Sequence, residues 1–179
     1  MTVRDLHEVA AHEDWRELSC GDRRNLIGLT RNDCWALLGR MRGPARTAVF
    51  GPNQDEIQQT VHNAATAEAN AFPQLAFESY ERLWNLSGVG EGIATRLLTL
   101  ARPDQFVSLN NASRHGLGNY FGFTPSTLGE PESYGSLLMA IYRQEWYRNP
   151  SPTNAYEESI SRMRTALLDC FVYAHPNQT

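Results

Sequence analysis

The chain contains no lysine: all 16 of its basic residues are arginine. That absence excludes a mechanism built on a lysine Schiff base, unless the N-terminal amine substitutes. It leaves cationic side-chain recognition of phosphate to guanidinium groups, which stay protonated and bind bidentately. Biased codon usage produces the same absence, and the chemical exclusion holds under either cause. Cysteine is scarce too. Cys20, Cys34 and Cys170 are odd in number, far apart and without a CxxC pair. This excludes a disulfide framework and a thiolate metal cluster, and it predicts a reducing, cytoplasmic setting. His7, His12, His62 and His175 show no spacing that ligates a metal, so neither metal nor cofactor is expected. No apolar run approaches the roughly 20 residues of a membrane span, and no membrane partner is expected. The opening MTVRDLHEVAAHEDW is polar and acidic, unlike a signal or transit peptide. No serine or cysteine shows the elbow or histidine pairing of a nucleophilic enzyme.

What is present suits one globular unit. The 179 residues are 41% hydrophobic and 20% charged, which supports a real core and one domain over residues 1–179, with room for two lobes. The net charge of −4 argues mildly against a protein that coats nucleic acid, but it hides a pattern. Residues 23–46 carry Arg23, Arg24, Arg31, Arg40, Arg42 and Arg46 against Asp33 alone. Residues 82–116 carry Arg82, Arg96, Arg102 and Arg114 against Glu91 and Asp104. The first 22 residues and residues 47–81 are acidic. Two basic segments on one face and acid on the other would suit a polyanion on one side and a protein partner on the other. A solvated surface with local bias gives the same counts.

The periodicity is helical. Residues 15–41 read as one or two short helices, and GPAR then breaks the chain. TAVF, residues 47–50, is β-like but too short to support a sheet. QDEIQQTVHNAATAEANAF predicts a long helix that stops near Pro73. Phe77, Tyr80, Leu83 and Trp84 form a helical core stripe. Residues 91–102 return to helix, an extended FVSL follows, and a short helix spans about Asn111 to Tyr120. YGSLLMAIYRQEWY predicts one helix, with Trp146 and Tyr147 in the core. AYEESISRMRTALLDCFVYA predicts the longest clean helix, with Ile160, Met163, Leu167, Leu168, Phe171 and Val172 inward. The class is all-α.

NLSGVGEGIATRLL, residues 85–98, places three glycines in five positions between two helices. Glycine costs a helix about 1 kcal/mol against alanine, so the cluster needs a reason. Gly88 suits the left-handed backbone that ends a helix. Val89 is the apolar tip, and Ala94 is small where the helices cross. Gly90 and Gly92 would expose backbone amides at the opening of the second helix, where unsatisfied N–H groups and the dipole attract anions. Arg96, one turn inside, would add charge. A tight helix–helix corner alone needs a glycine or two.

The pattern Leu86-x-Gly88-Val89-Gly90-x-x-x-Ala94 resembles the helix-hairpin-helix motif, which grips the DNA backbone without regard to sequence. The likeness runs on through Ile93 to Ala101, then Phe106-Val107-Ser108-Leu109-Asn110, then Arg114. This order is similar to that of the helix-hairpin-helix DNA glycosylases, the endonuclease III and 8-oxoguanine glycosylase superfamily. It covers about residues 77–120. The resemblance implies a helical scaffold that binds duplex DNA. It does not carry the family's chemistry, because the covalent lysine falls on Gly92 and the family's aspartate on Asn110. An amide cannot stabilise a cationic centre as a carboxylate does. The iron–sulfur ligand cysteines of some members are absent as well.

Other polar groups complete the candidate site. Asn110 and Asn111 would line a base pocket, since asparagine pairs with adenine edges, although Asn110 is equally a helix cap. Arg114 would hold a phosphate, and Arg40, Arg42 and Arg46 on a Gly/Pro loop would extend the footprint. His115 is a candidate base. Asp104 or Asp169 would replace the missing carboxylate if the fold brings either back. The leading expectation is a DNA-binding protein without glycosylase chemistry, in DNA repair or a restriction or defence system. The alternatives are a monofunctional glycosylase using a displaced carboxylate, and an interaction subunit whose hairpin only packs helices.

Overall fold

The computed structural model describes residues 3–29, 38, 41, 44–149 and 151–174. Among them the regular structure is helical, with no strand, and the class is all-α. The helices are α1 (Val3–Ala10), α2 (Cys20–Leu26), α3 (Ala45–Phe50), α4 (Gln54–Thr66), α5 (Gln74–Trp84), α6 (Glu91–Ala101), α7 (Asn111–Phe121), α8 (Pro131–Tyr142), α9 (Glu145–Arg148), α10 (Ala155–Ser161) and α11 (Leu167–Ala174). A 3-10 turn, Ala69–Ala71, follows α4.

Helix α6 runs through the middle. Its last eight residues, Ala94 to Ala101, are all buried. Its sequence ATRLLTLA is apolar nearly all round, the composition of a helix enclosed by neighbours. Helices α1, α4 and α5 pack on it. Leu97, Leu98 and Leu100 together contribute roughly 5–9 kcal/mol of burial. The same apolar cluster continues through Tyr80, Tyr134, Leu137 and Ile141 to Val172. Tyr80 and Tyr134 lie 4.2 Å apart between ring centroids. Their hydroxyls donate to the carbonyls of Gly129 and Val107 at 2.5 and 2.8 Å, so neither is buried without a partner.

Several predicted elements change. TAVF lies in α3 and is helical. The long polar helix ends at Thr66, because Ala67 turns extended (ψ 146°) and gives its carbonyl to Arg102 at 2.6 Å. The chain then carries Phe72 inward against Phe106. The predicted C-terminal helix is two helices, α10 and α11. The intervening turn is tied elsewhere: Ala166 N–H donates to Pro103 O at 2.9 Å, and Thr165 Oγ1 donates to Asp104 O at 2.6 Å. These distant anchors override a good local helix pattern. In consequence Ile160 and Phe171, expected inward, are exposed. Trp146 is exposed as well, because α8 ends at Tyr142 and α9 starts afresh after a turn at Arg143. The second short helix expected within residues 15–41 falls mostly outside the described residues.

Candidate functional site

The hairpin joins α5 to α6. Helix α5 closes with Leu86 N–H on Leu83 O at 3.1 Å, and Val89 N–H returns to Leu86 O at 3.0 Å. Gly88 has φ +81°, a conformation that side-chain-bearing residues rarely adopt. Val89 is 4% exposed and packs into the core between the two helices. From the neighbouring turn, Asn53 Nδ2 donates to Ser87 O at 3.1 Å. Ala48 Cβ of α3 lies 3.5 Å from where a Cβ on Gly88 would stand. The corner is therefore fixed from below by Val89 and from the side by α3.

Gly90 is the N-cap of α6, extended at φ −87° and ψ 176°, with no side-chain cap. A Cβ there would meet nothing within 4 Å. Gly90 O accepts from Ile93 and Ala94 at 3.0 and 3.1 Å. The amides of Gly90, Glu91 and Gly92 donate to no acceptor among the described residues. Three unclaimed donors thus sit at the positive end of an 11-residue helix, whose dipole is equivalent to about half a charge.

A carboxylate in this first turn would compete with any anion, and Glu91 occupies it. It forms an ion pair with Arg114 of α7, both side chains about four-fifths buried. Glu91 Oε2 lies against Gly129, in the space that a side chain there would take. Glu91 is therefore neutralised and packed under the loop before α8. The pair also corrects one expectation, since Arg114 serves Glu91 and is not presented to a phosphate.

Arg96 requires a larger correction. It is 1% exposed and does not reach the hairpin surface. Its Nε donates to Leu26 O at 3.0 Å, Nη1 to Leu38 O at 3.2 Å and Nη2 to Asn25 O at 3.4 Å. Gly28, at φ +67°, lies over the guanidinium, where a Cβ would come within 2.8 Å of Cζ. The five-donor fork binds the end of α2 to the core.

Of the loop arginines, Arg46 is exposed on α3, two residues from the Ala48 that touches the hairpin. Arg40 and Arg42 lie outside the described residues. Met41, between them in sequence, places its Cε 3.8 Å from where a Gly92 Cβ would stand. Leu109 O approaches the same point at 3.7 Å. Met41, Ala48 and Leu109 therefore border the hairpin. They belong to the two longest stretches of the chain free of Asp and Glu, residues 34–54 and 105–129. A protein of net charge −4 thus keeps carboxylates out of both segments that border these amides.

No family model, curated protein or solved structure matches this chain. What the site can do rests on its own geometry.

Asn110 is the N-cap of α7. Its Oδ1 accepts from Ala112 and Ser113 amides at 3.0 and 3.1 Å, and Ser113 Oγ accepts from Asn110 N–H at 2.9 Å. This capping box corrects the expectation that Asn110 reads a base. Its Nδ2 donates to Asp169 Oδ1 at 3.3 Å. Asp169, from α11, is fully buried, and its Oδ2 has no hydrogen-bond partner. Burial pushes its carboxyl up to about 7, while hydrogen bonds from Ser113 and Asn110 pull the other way. The fold thus returns a carboxylate to the position where Asn110 stands. The signal for it in sequence was a lone acid inside the apolar run ALLDCFVYA.

Asp104 behaves otherwise. Burial pushes its carboxyl up, but hydrogen bonds and charge from Arg102, aided by Gln105 and Arg164, outweigh that and hold it below the usual range. Arg102 grips it through two bonds at 3.0 and 3.1 Å. It lines a cleft of about 670 Å³ with Arg102, Glu158, Arg162 and Arg164. This lies beyond the far end of α6, about 16 Å of helix from the hairpin. Asp104 is therefore no substitute for the missing carboxylate. Asn111 and His115 are exposed on α7. The described residues hold no group of His, Cys, Asp and Glu suited to a metal, and no helix long and apolar enough to cross a membrane.

Proposed function

We propose that this chain binds DNA through its backbone, holding a phosphate oxygen on the amides of Gly90, Glu91 and Gly92. The observation that carries the reading is the set of three unclaimed donors beside an open Gly90, with the adjacent carboxylate already paired to Arg114. Arg46 supports it from α3, and the carboxylate-free segments on either side lower the repulsion a polyanion would meet. The resemblance to helix-hairpin-helix proteins points the same way and suits a role in DNA repair, restriction or defence. No base is read at the hairpin, so binding is indifferent to sequence.

With Arg96 buried and Arg114 paired, the contacts that remain neutralise about two phosphates. Affinity for a short duplex should then fall with salt at a log–log slope of about −2. A slope near zero, or no binding at low salt, rejects the proposal.

A second reading has its own observation. Asp169 is a carboxyl whose proton is poised near neutrality, with one oxygen unpartnered. These are the attributes of a general acid or base. On this reading the protein releases a base from modified duplexes, and Asp169→Asn abolishes the release while leaving duplex affinity intact. Absence of free base from a panel of damaged duplexes removes this reading alone.

A further inference from the structure

The cleft beyond the far end of α6 takes no part in the hairpin. One wall comes from α1, α4 and residues 102–104, the other from α10 and residues 162–164. The bonds from Thr165 to Asp104 and from Ala166 to Pro103 join the walls. The space between them, about 670 Å³, is the size of a small-molecule site.

Its charges do not balance. Arg102, Arg162 and Arg164 line it with Asp104 and Glu158, three cations with two anions. Arg102 is fully engaged: Nε and Nη2 bind Asp104, Nη1 binds Ala67 O, and the guanidinium lies over the Phe72 ring at 4.7 Å. Arg162 pairs with Glu158 at 2.6 Å. Arg164 makes no ion pair among the described residues. Its charge reaches Asp104, but Arg102 is that carboxylate's hydrogen-bonded partner. Its Nη1 donates to Ser161 O at 2.8 Å, and its Nε is buried without a hydrogen-bond partner.

Arg164 is also held in place. Its guanidinium lies over the Tyr147 ring at 4.4 Å. The Tyr147 hydroxyl in turn donates to Oε1 of the buried Gln105 at 2.7 Å. A guanidinium fixed in advance loses little freedom when it grips an oxyanion. The lining then narrows the ligand. One positive charge in excess matches one anionic group, whereas a polyanion would meet Asp104 and Glu158 as well. Ala65, Pro103, Ala155 and Met163 add apolar surface for an uncharged body.

We infer that this cleft binds a small organic monocarboxylate, its carboxylate held by the Arg164 guanidinium and its apolar body lying against Ala65 and Met163. The site stands apart from the hairpin and does not depend on the reading given above.

The test titrates the full chain with benzoate, a planar monocarboxylate on an apolar ring, followed by NMR at constant ionic strength. Benzoate should shift the Arg164 and Met163 signals along curves that saturate at millimolar concentration. Benzamide, of the same shape without the charge, should bind roughly tenfold more weakly. Arg164→Gln should lower benzoate affinity by a similar factor, while Arg148→Gln, an exposed arginine outside the cleft, should leave it unchanged. Absence of saturation, equal binding of benzamide, or full benzoate affinity in Arg164→Gln overturns the inference. Should Arg164→Gln fail to fold, the benzoate and benzamide titrations of the parent decide it alone.

Discussion

Arg96 holds the N-terminal region to the core. Three carbonyls from Asn25, Leu26 and Leu38 converge on one guanidinium, and the partners are 58 to 71 residues away in sequence. Lysine keeps the charge but not the fork, so Arg96→Lys should cost about 3 kcal/mol, measured as a lowered urea midpoint. An unchanged midpoint would show that the guanidinium geometry is dispensable. Arg114 allows a different test. If its task is to neutralise Glu91, Arg114→Gln should weaken DNA binding severalfold, and adding Glu91→Gln should restore it. A direct phosphate contact by Arg114 predicts a double variant as weak as the single one, so a double-mutant cycle separates the two roles. Both arginines were visible as charges near a glycine corner. Their partners were not, because nothing local in the sequence ties position 96 to 26 or position 114 to 91.

At the scale of elements, the hairpin was the most legible feature and the C-terminal helices the least. A left-handed residue at a helix end is a local demand that glycine answers, and Gly88 meets it at φ +81°. Asn110 was legible as a cap for the same reason. The break between α10 and α11 comes from bonds to Pro103 and Asp104, which an apolar stripe over residues 155–174 does not reveal. The joint between α7 and α11 has a pH dependence of its own. The Asp169 carboxyl titrates near 7 in the folded protein and near 3.8 as a free side chain. The folded state therefore holds the proton more tightly, and stability falls as pH rises from about 4 to about 7, then levels off. The loss should amount to a few kcal/mol at most. Asp169→Asn should flatten this profile and raise the urea midpoint at pH 8 above that of the parent. A parent profile already flat between pH 4 and 7 would mean that the carboxylate is solvated when ionised.

The whole molecule carries net negative charge, yet residues from two segments free of carboxylates border one helix terminus, and the one acid in that helix's first turn is paired. Composition alone recorded the −4 and argued mildly against a polyanion. Only the fold brings Ala48 to Gly88, and Met41 and Leu109 to Gly92. The arginine count overstated the case in the opposite direction, since Arg96, Arg102 and Arg114 all work inside the structure. What remains of the proposed phosphate site is mainly backbone, and a backbone site can be filled from within. Gly90 has a backbone conformation open to any residue and clear space around it. An aspartate there would accept from the Gly92 or Ile93 amide as a normal N-cap, raising stability by a few tenths of a kcal/mol. It would also put a negative charge where the proposed phosphate would sit. The decisive measurement is the affinity of Gly90→Asp for a short duplex at low salt, taken beside its thermal midpoint. The account predicts a midpoint equal to or above the parent's and an affinity at least about tenfold weaker. A variant that is equally stable and binds duplex as tightly as the parent would contradict it.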